Sequence, residues 1–337
     1  MQPEKSISTV DIHGDILIDV QARRRNGERK VLETHHLPAL RRGGVQIQIM
    51  AVYVTSNYLP ESVLRQTLRM IGALYEELHE TPEHFLLVHR RADLRRARSE
   101  GKIALVLGLE GAEPLDRDVG LVRVFHQLGI RVIGLTWNLA NVFAQGVGED
   151  TQAGLSIVGQ HLLLEMQDLG LILDLSHSSE ASFWSALEHY EGPIVASHSN
   201  SIELCRHPRN LTDEQIKAIG ERGGLIGLNM IPRFVGDEDL LRGVVRHAAY
   251  IRDVAGITHL ALGPDFVNYL PGLDIPSTER LVDPGDQEAQ ADVQMPDVTL
   301  LPQLHQTFLD NGWSEEETAA VFGGNALRYL EAVLPGD

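Results

Sequence analysis

The chain has 337 residues, 43% hydrophobic and 23% charged, with a formal net charge of −18. That length suits one large domain or at most two, and so acidic a balance excludes nucleic acid or an anionic membrane as the main partner. Cys205 is the only cysteine, so no intramolecular disulfide can form.

The opening segment MQPEKSISTV has no apolar stretch of signal type, and no apolar run reaches bilayer length, so a cytoplasmic location is expected. Eight apolar, β-branched runs of strand length follow: Ser8–Ile12, Val45–Val54, Ile103–Leu109, Val132–Thr136, Leu171–Leu175, Ile194–Ala196, Leu225–Asn229 and Leu260–Gly263. They are nearly continuous rather than alternating, as in parallel strands buried on both faces. Helix-like stretches separate them. One runs from about Glu61 to Glu80. In TDEQIKAIGERGG, Thr212 and Gln215 form a capping box and Gly223 a stop; Ser314 and Glu317 form a second box.

Eight strands alternating with helices predict a (β/α)₈ TIM-type barrel with parallel strands, in one domain spanning 1–337. The rival, a doubly wound open sheet, wants a glycine-rich first turn, and DIHGDIL is not one. The segment around 268–297, rich in Pro, Asp and Glu, is long for a connection and reads as a lid-like insertion.

A barrel places its chemistry at the C-terminal ends of its strands. His13 and Asp15 follow the first run, Glu110 the third, His177 the fifth, His198 the sixth and Asp265 the eighth. Each alone has an ordinary reading. Glu110 suits a helix N-terminus, His177 and His198 sit among serines, and Asp265 after Gly-Pro suits a turn. Together they put metal-capable groups at five of eight strand ends. His35, His36, His79 and His84 fall in loops or helical stretches and read as solvated surface. Three imidazoles with three carboxylates suit Zn²⁺ or another borderline divalent ion, and exceed what one tetrahedral zinc needs. Two metals sharing a carboxylate, with one carboxylate left to move a proton, would use them all.

The segments DIHGDIL, GLEGA, LGIRVIGLTWNLAN, DLSHSS, ASHSNS with RHPRNLTDEQ, LALGPDF and VFGGNALRYL run in that order from Asp11 to Leu330. They resemble the membrane (renal-type) dipeptidase family, peptidase family M19 of the amidohydrolase superfamily. The resemblance implies a barrel with two zinc ions: His13 and Asp15 on one, His177 and His198 on the other, Glu110 bridging. It implies attack of a metal-bridging hydroxide on the amide of a dipeptide or dipeptide-like substrate. Asp265 would shuttle the proton, and Arg209 would hold the substrate's free carboxylate, which its fork fits bidentately. It also implies a homodimer. Two positions depart from the pattern. Trp137 stands where the family usually carries a histidine near the scissile carbonyl, and Ile231 stands near the place of an expected tyrosine. Both make the substrate pocket more apolar. Hydrolysis of another small amide or lactone at the same centre is the alternative, and a metal-binding accessory protein with little catalysis is a third reading.

Overall fold

The computed structural model describes residues 8–149, 152–269 and 295–336. Among the described residues nine strands run in chain order: β1 (Thr9–Gly14), β2 (Val45–Val52), β3 (Phe85–Leu87), β4 (Ile103–Leu109), β5 (Ile130–Gly134), β6 (Ile172–Asp174), β7 (Ile194–Ala196), β8 (Leu225–Leu228) and β9 (Leu260–Leu262). Their order is β2-β1-β9-β8-β7-β6-β5-β4-β3, and a further pairing of β2 with β4 closes the ring. Every pairing is parallel. The closed barrel therefore consists of eight strands, all but β3, and these are the eight runs legible in the sequence.

β3 is an addition that the sequence did not announce. β4 gives one edge to β2 over Ala104–Leu109. Its other edge pairs with β3 at Ile103–Leu105 and with β5 at Leu107–Leu109, so the two share that edge end to end. Several strands also stop short of their apolar runs. Val54, Thr136, Leu175, Asn229 and Gly263 lie beyond the last paired residue, where the chain turns toward the mouth.

Burial explains the continuous apolar runs. Apart from Gln46 and Leu87, every strand residue is buried. Alternate residues divide between two cores. Val10, Ile12, Ile47, Ile49, Ala104, Val106, Val132 and Ile172 fill the inside with Ala326 and Leu330 of the C-terminal helix Asn325–Val333. Val45, Met50, Val52, Leu105, Leu107 and Leu173 pack outward in the cluster that includes helix residues such as Leu74, Leu163 and Phe183. The expected helix near 61–80 spans Val63–Glu80, and both capping boxes form, on helices Asp213–Glu221 and Glu315–Ala319.

The lid-like insertion at 268–297 falls, except for its ends, outside the described residues. Among the described residues no helix is long and apolar enough to cross a membrane. One surface reading is corrected. His36 is buried, in a π-helical turn over Leu32–His36, and its Nε2 lies 2.9 Å from Asp19 Oδ2. The wide turn carries its imidazole inward to the carboxylate, which periodicity cannot show.

Candidate metal centre

The six strand-end residues converge. His13 lies within β1, where the pairing with β2 shifts register between Asp11 and Gly14, a local irregularity that re-aims a side chain. Its backbone N–H donates to Asp11 Oδ1 at 3.0 Å. Asp15 follows β1 directly, at the start of the helix Ile16–Arg25, and its side chain makes no capping hydrogen bond to it. Glu110 follows β4, and His177, His198 and Asp265 stand two or three residues past β6, β7 and β9. His177 (φ +67°) and Asp265 (φ +61°) hold left-handed backbone, a costly conformation for non-glycine residues that is frequent at functional sites.

Glu110 Oε1 is the hub. It lies 3.0 Å from His177 Nε2 and 3.7 Å from both His13 Nε2 and His198 Nε2. His13 Nε2 is also 3.8 Å from Asp15 Oδ2 and 3.9 Å from Asp265 Oδ1. His13, Glu110 and His198 form one group able to hold a metal ion, and His13, Asp15 and Asp265 form another. A third group, Glu33, Glu83 and His84, lies apart. There Arg41 stands 3.3 Å from His84 Nδ1, and an arginine can only donate, so Nε2 carries the ring proton toward the carboxylates.

Three observations test the central residues against a metal. His13 Nε2 and Asp15 Oδ1 are buried without a hydrogen-bond partner, a cost that a coordinated cation removes. His177 Nε2 and His198 Nε2 face each other at 2.9 Å. Asn138 Oδ1, 2.8 Å from His177 Nδ1, accepts that nitrogen's proton, and Ser197 Oγ stands 2.7 Å from His198 Nδ1. Two lone pairs thus converge where a cation would bind both. Finally, burial pushes the Glu110 carboxyl well up, with the Asp15 and Asp265 charges adding to it, and burial then Asp265 does the same to Asp15. Burial holds the His177 and His198 imidazoles well below their ordinary range, and lowers His13. Nitrogen and oxygen donors kept neutral or crowded with like charge fit one or two borderline divalent ions.

Around this core sit residues that sequence reasoning had only by resemblance, or not at all. Arg209 is buried; it donates from Nη2 to the His198 carbonyl at 3.2 Å, while its Nε has no hydrogen-bond partner. Burial lowers its pKa to about 10, against the pull of Asp265, Glu110 and Asp174. Trp137, three residues past β5, stands between Tyr53 and His177, with ring centroids at 5.0 and 5.6 Å. Ile231 is buried before the short helix Pro232–Val235, its N–H donating to Asn229 Oδ1 at 2.6 Å. Asn229 Nδ2 donates to Asp265 Oδ2 at 3.1 Å. Asn138, Asn229, Ser197 and Asp174 were missed. The available signal was their place, each at the end of a strand run.

Comparison with known proteins gives the same site a context. The model of the membrane dipeptidase family, peptidase family M19, matches residues 4–334. Dipeptidase aclJ of Aspergillus oryzae is 28% identical over 96% of this chain and 78% of its own. An uncharacterized protein from the pqqA 5' region of Klebsiella pneumoniae is 34% identical over 72% of this chain and 86% of its own. Among solved structures, the metallopeptidase dipeptidase AC, of family M19, is 27% identical with a TM-score of 0.83, over 98% of this chain and 100% of that one. A metallopeptidase from Rhodobacter sphaeroides, liganded with a phosphinate mimic of the dipeptide L-Ala-D-Ala, is 26% identical with the same TM-score of 0.83 and the same coverage, 98% and 100%.

Proposed function

The chain belongs to the membrane dipeptidase family, peptidase family M19, and on that premise we propose that it is a zinc-dependent dipeptidase acting on a dipeptide or dipeptide-like amide with a free carboxylate. One observation carries the reading: three imidazoles from three strand ends meet around Glu110 Oε1, with Asp15 against His13 and a buried arginine with an unpartnered donor nearby. His13 and Asp15 would hold one zinc, His177 and His198 a second, and Glu110 would bridge them. When bound, the metal supplies Lewis acidity toward the amide carbonyl and lowers the pKa of water.

The remaining work falls to the chain's own groups. Arg209 binds the substrate carboxylate through Nε and a free Nη hydrogen, since its Nη2 already serves the His198 carbonyl. Asn229 occupies Asp265 Oδ2, so Oδ1 is the oxygen that takes a proton and returns it to the leaving amine. The Trp137 indole N–H is a donor only, and the nearness of its ring to His177 supports a role in steadying negative charge on the carbonyl oxygen. The reading also includes a cytoplasmic location and a homodimeric state, which fractionation and sedimentation test.

A panel of L,L- and L,D-dipeptides, assayed with added Zn²⁺, tests the proposal. Hydrolysis of members with a free C-terminal carboxylate is the expected result, and no hydrolysis by well-metallated protein overturns it. Trp137 and Ile231, both apolar where the family is polar, favour a second reading in which the same centre opens another small amide or lactone.

A further inference from the structure

Beneath the imidazoles of His13 and His198, whose rings stack at 3.7 Å, lies a single hydroxyl. Ser197 Oγ is 2.7 Å from His198 Nδ1 and 3.4 Å from His13 Nδ1, and it donates to Asp174 Oδ2. The other carboxylate oxygen, Asp174 Oδ1, accepts the backbone N–H groups of Ser176 and Ser197, both at 3.0 Å. All of these groups are buried.

A hydroxyl has one proton to give and two lone pairs. Here the proton goes to Asp174, so both lone pairs are left for ring N–H groups. Each imidazole must then be protonated at Nδ1, leaving Nε2 as a lone pair facing the centre. We propose that Asp174 and Ser197 act as one shared positioning pair that fixes the metal-binding tautomer of His13 and His198 together, and thereby couples the two metal sites. The proposal rests on the reading above that these histidines serve different ions.

The backbone is shaped to bring Ser197 there. A Cβ on Gly227 would fall 1.9 Å from the Ser197 carbonyl oxygen, and one on Gly263 would fall 1.7 Å from it. Glycine at the ends of β8 and β9 is what lets β7 deliver this residue so close to its neighbours.

Asp174→Asn keeps the shape and reverses the order of donors. The amide NH₂ would donate to Ser197 Oγ, whose own proton must then go to one imidazole Nδ1, and that ring's Nε2 becomes a protonated non-ligand. Ser197→Ala removes the shared acceptor instead. Zinc affinity is read for each ion by competition with a chromophoric chelator, beside the visible spectrum of the Co²⁺-loaded protein and the unfolding midpoint of the metal-free form. Ser197→Ala should weaken both ions, by about 10- to 100-fold, Asp174→Asn should weaken chiefly the ion whose histidine is turned, and both should alter the Co²⁺ spectrum. Unchanged affinity in either variant, or weakening of one ion only in Ser197→Ala, overturns the coupling while leaving two ions in the wild type. A wild type that binds fewer than two ions is a separate result, seen before any variant is made, and removes the binuclear reading and the coupling together. If Asp174→Asn does not fold, Ser197→Ala decides alone.

Discussion

The indole of Trp137 stands 5.6 Å from the imidazole of His177, the rings inclined at 36°. A bulky side chain with one N–H thus takes part in the wall beside a metal-capable histidine. Trp137→Phe keeps a flat ring and removes the donor. If the N–H serves the carbonyl oxygen, kcat should fall by about 10²-fold with KM little changed, since one such donor is worth about 10²–10³. Steady-state kinetics on the best dipeptide reads this. A change confined to KM would make Trp137 a pocket wall only.

Arg209 separates substrates by their carboxyl end. Arg209→Met should lower kcat/KM for free-carboxylate dipeptides by about 10²-fold, the worth of roughly 2–3 kcal/mol of charge-assisted hydrogen bonding. The same dipeptide as a C-terminal amide should be cleaved poorly by wild type and no worse by the variant. Equal losses on both substrates would remove Arg209 from carboxylate binding.

Elemental analysis should find two zinc ions per chain, and one after His198→Ala; fewer than two ions in loaded wild type sinks the binuclear assignment. The pH dependence follows from the direction of each shift. Asp15 and Glu110 are raised, so in the metal-free fold they stabilise below the ordinary carboxylate range and that contribution is lost as pH rises through their folded values. The imidazoles are lowered, so they penalise the fold as pH falls below their ordinary range. Metal competes with the carboxyl protons, and the gain in Tm on adding zinc should grow from ~pH 5 to ~pH 8. Calorimetry of loaded and chelated protein checks the sign. Glu110→Gln should raise the Tm of the chelated form by on the order of a few degrees and abolish the zinc-dependent gain.

Stability away from the centre depends on a buried ion pair. Glu77 is fully buried; it accepts from Arg24 Nη1 and from the Leu32 N–H at 2.8 Å, while Arg24 also reaches Glu76 and Glu80. Arg24→Met leaves the Glu77 charge uncompensated and should cost about 3–5 kcal/mol. Urea unfolding should show a lower midpoint at unchanged slope; a loss under ~1 kcal/mol, as for an exposed pair, would contradict it.

The ring and its six strand-end residues were legible because each strand is a buried apolar run that stops abruptly at a polar side chain. Thr212–Gln215 and Ser314–Glu317 were legible because a capping box is local. What failed was non-local. β3 stands outside the ring, paired with β4 alone, and His36 is buried by the geometry of a π-helical turn. Asp174 and Ser197 look like ordinary strand-end residues until the fold stacks β6 beside β7. Asn138 and Asn229 resemble turn formers, and their partners, His177 and Asp265, lie 39 and 36 positions away.

The pairing of β2 with β4 also has a consequence for how this protein can change. The ring closes past residues 53–102, which leave after β2 and return at β4 without interrupting the register between them. Apart from Tyr53, none of the centre's named groups lies on that excursion. Its helix Val63–Glu80 is tied to the ring from outside through Glu77 and Leu74, so its length can drift only at exposed turns such as Leu59–Glu61 or Pro82–Glu83, with the eight-stranded ring still able to bring Glu110 to its histidines.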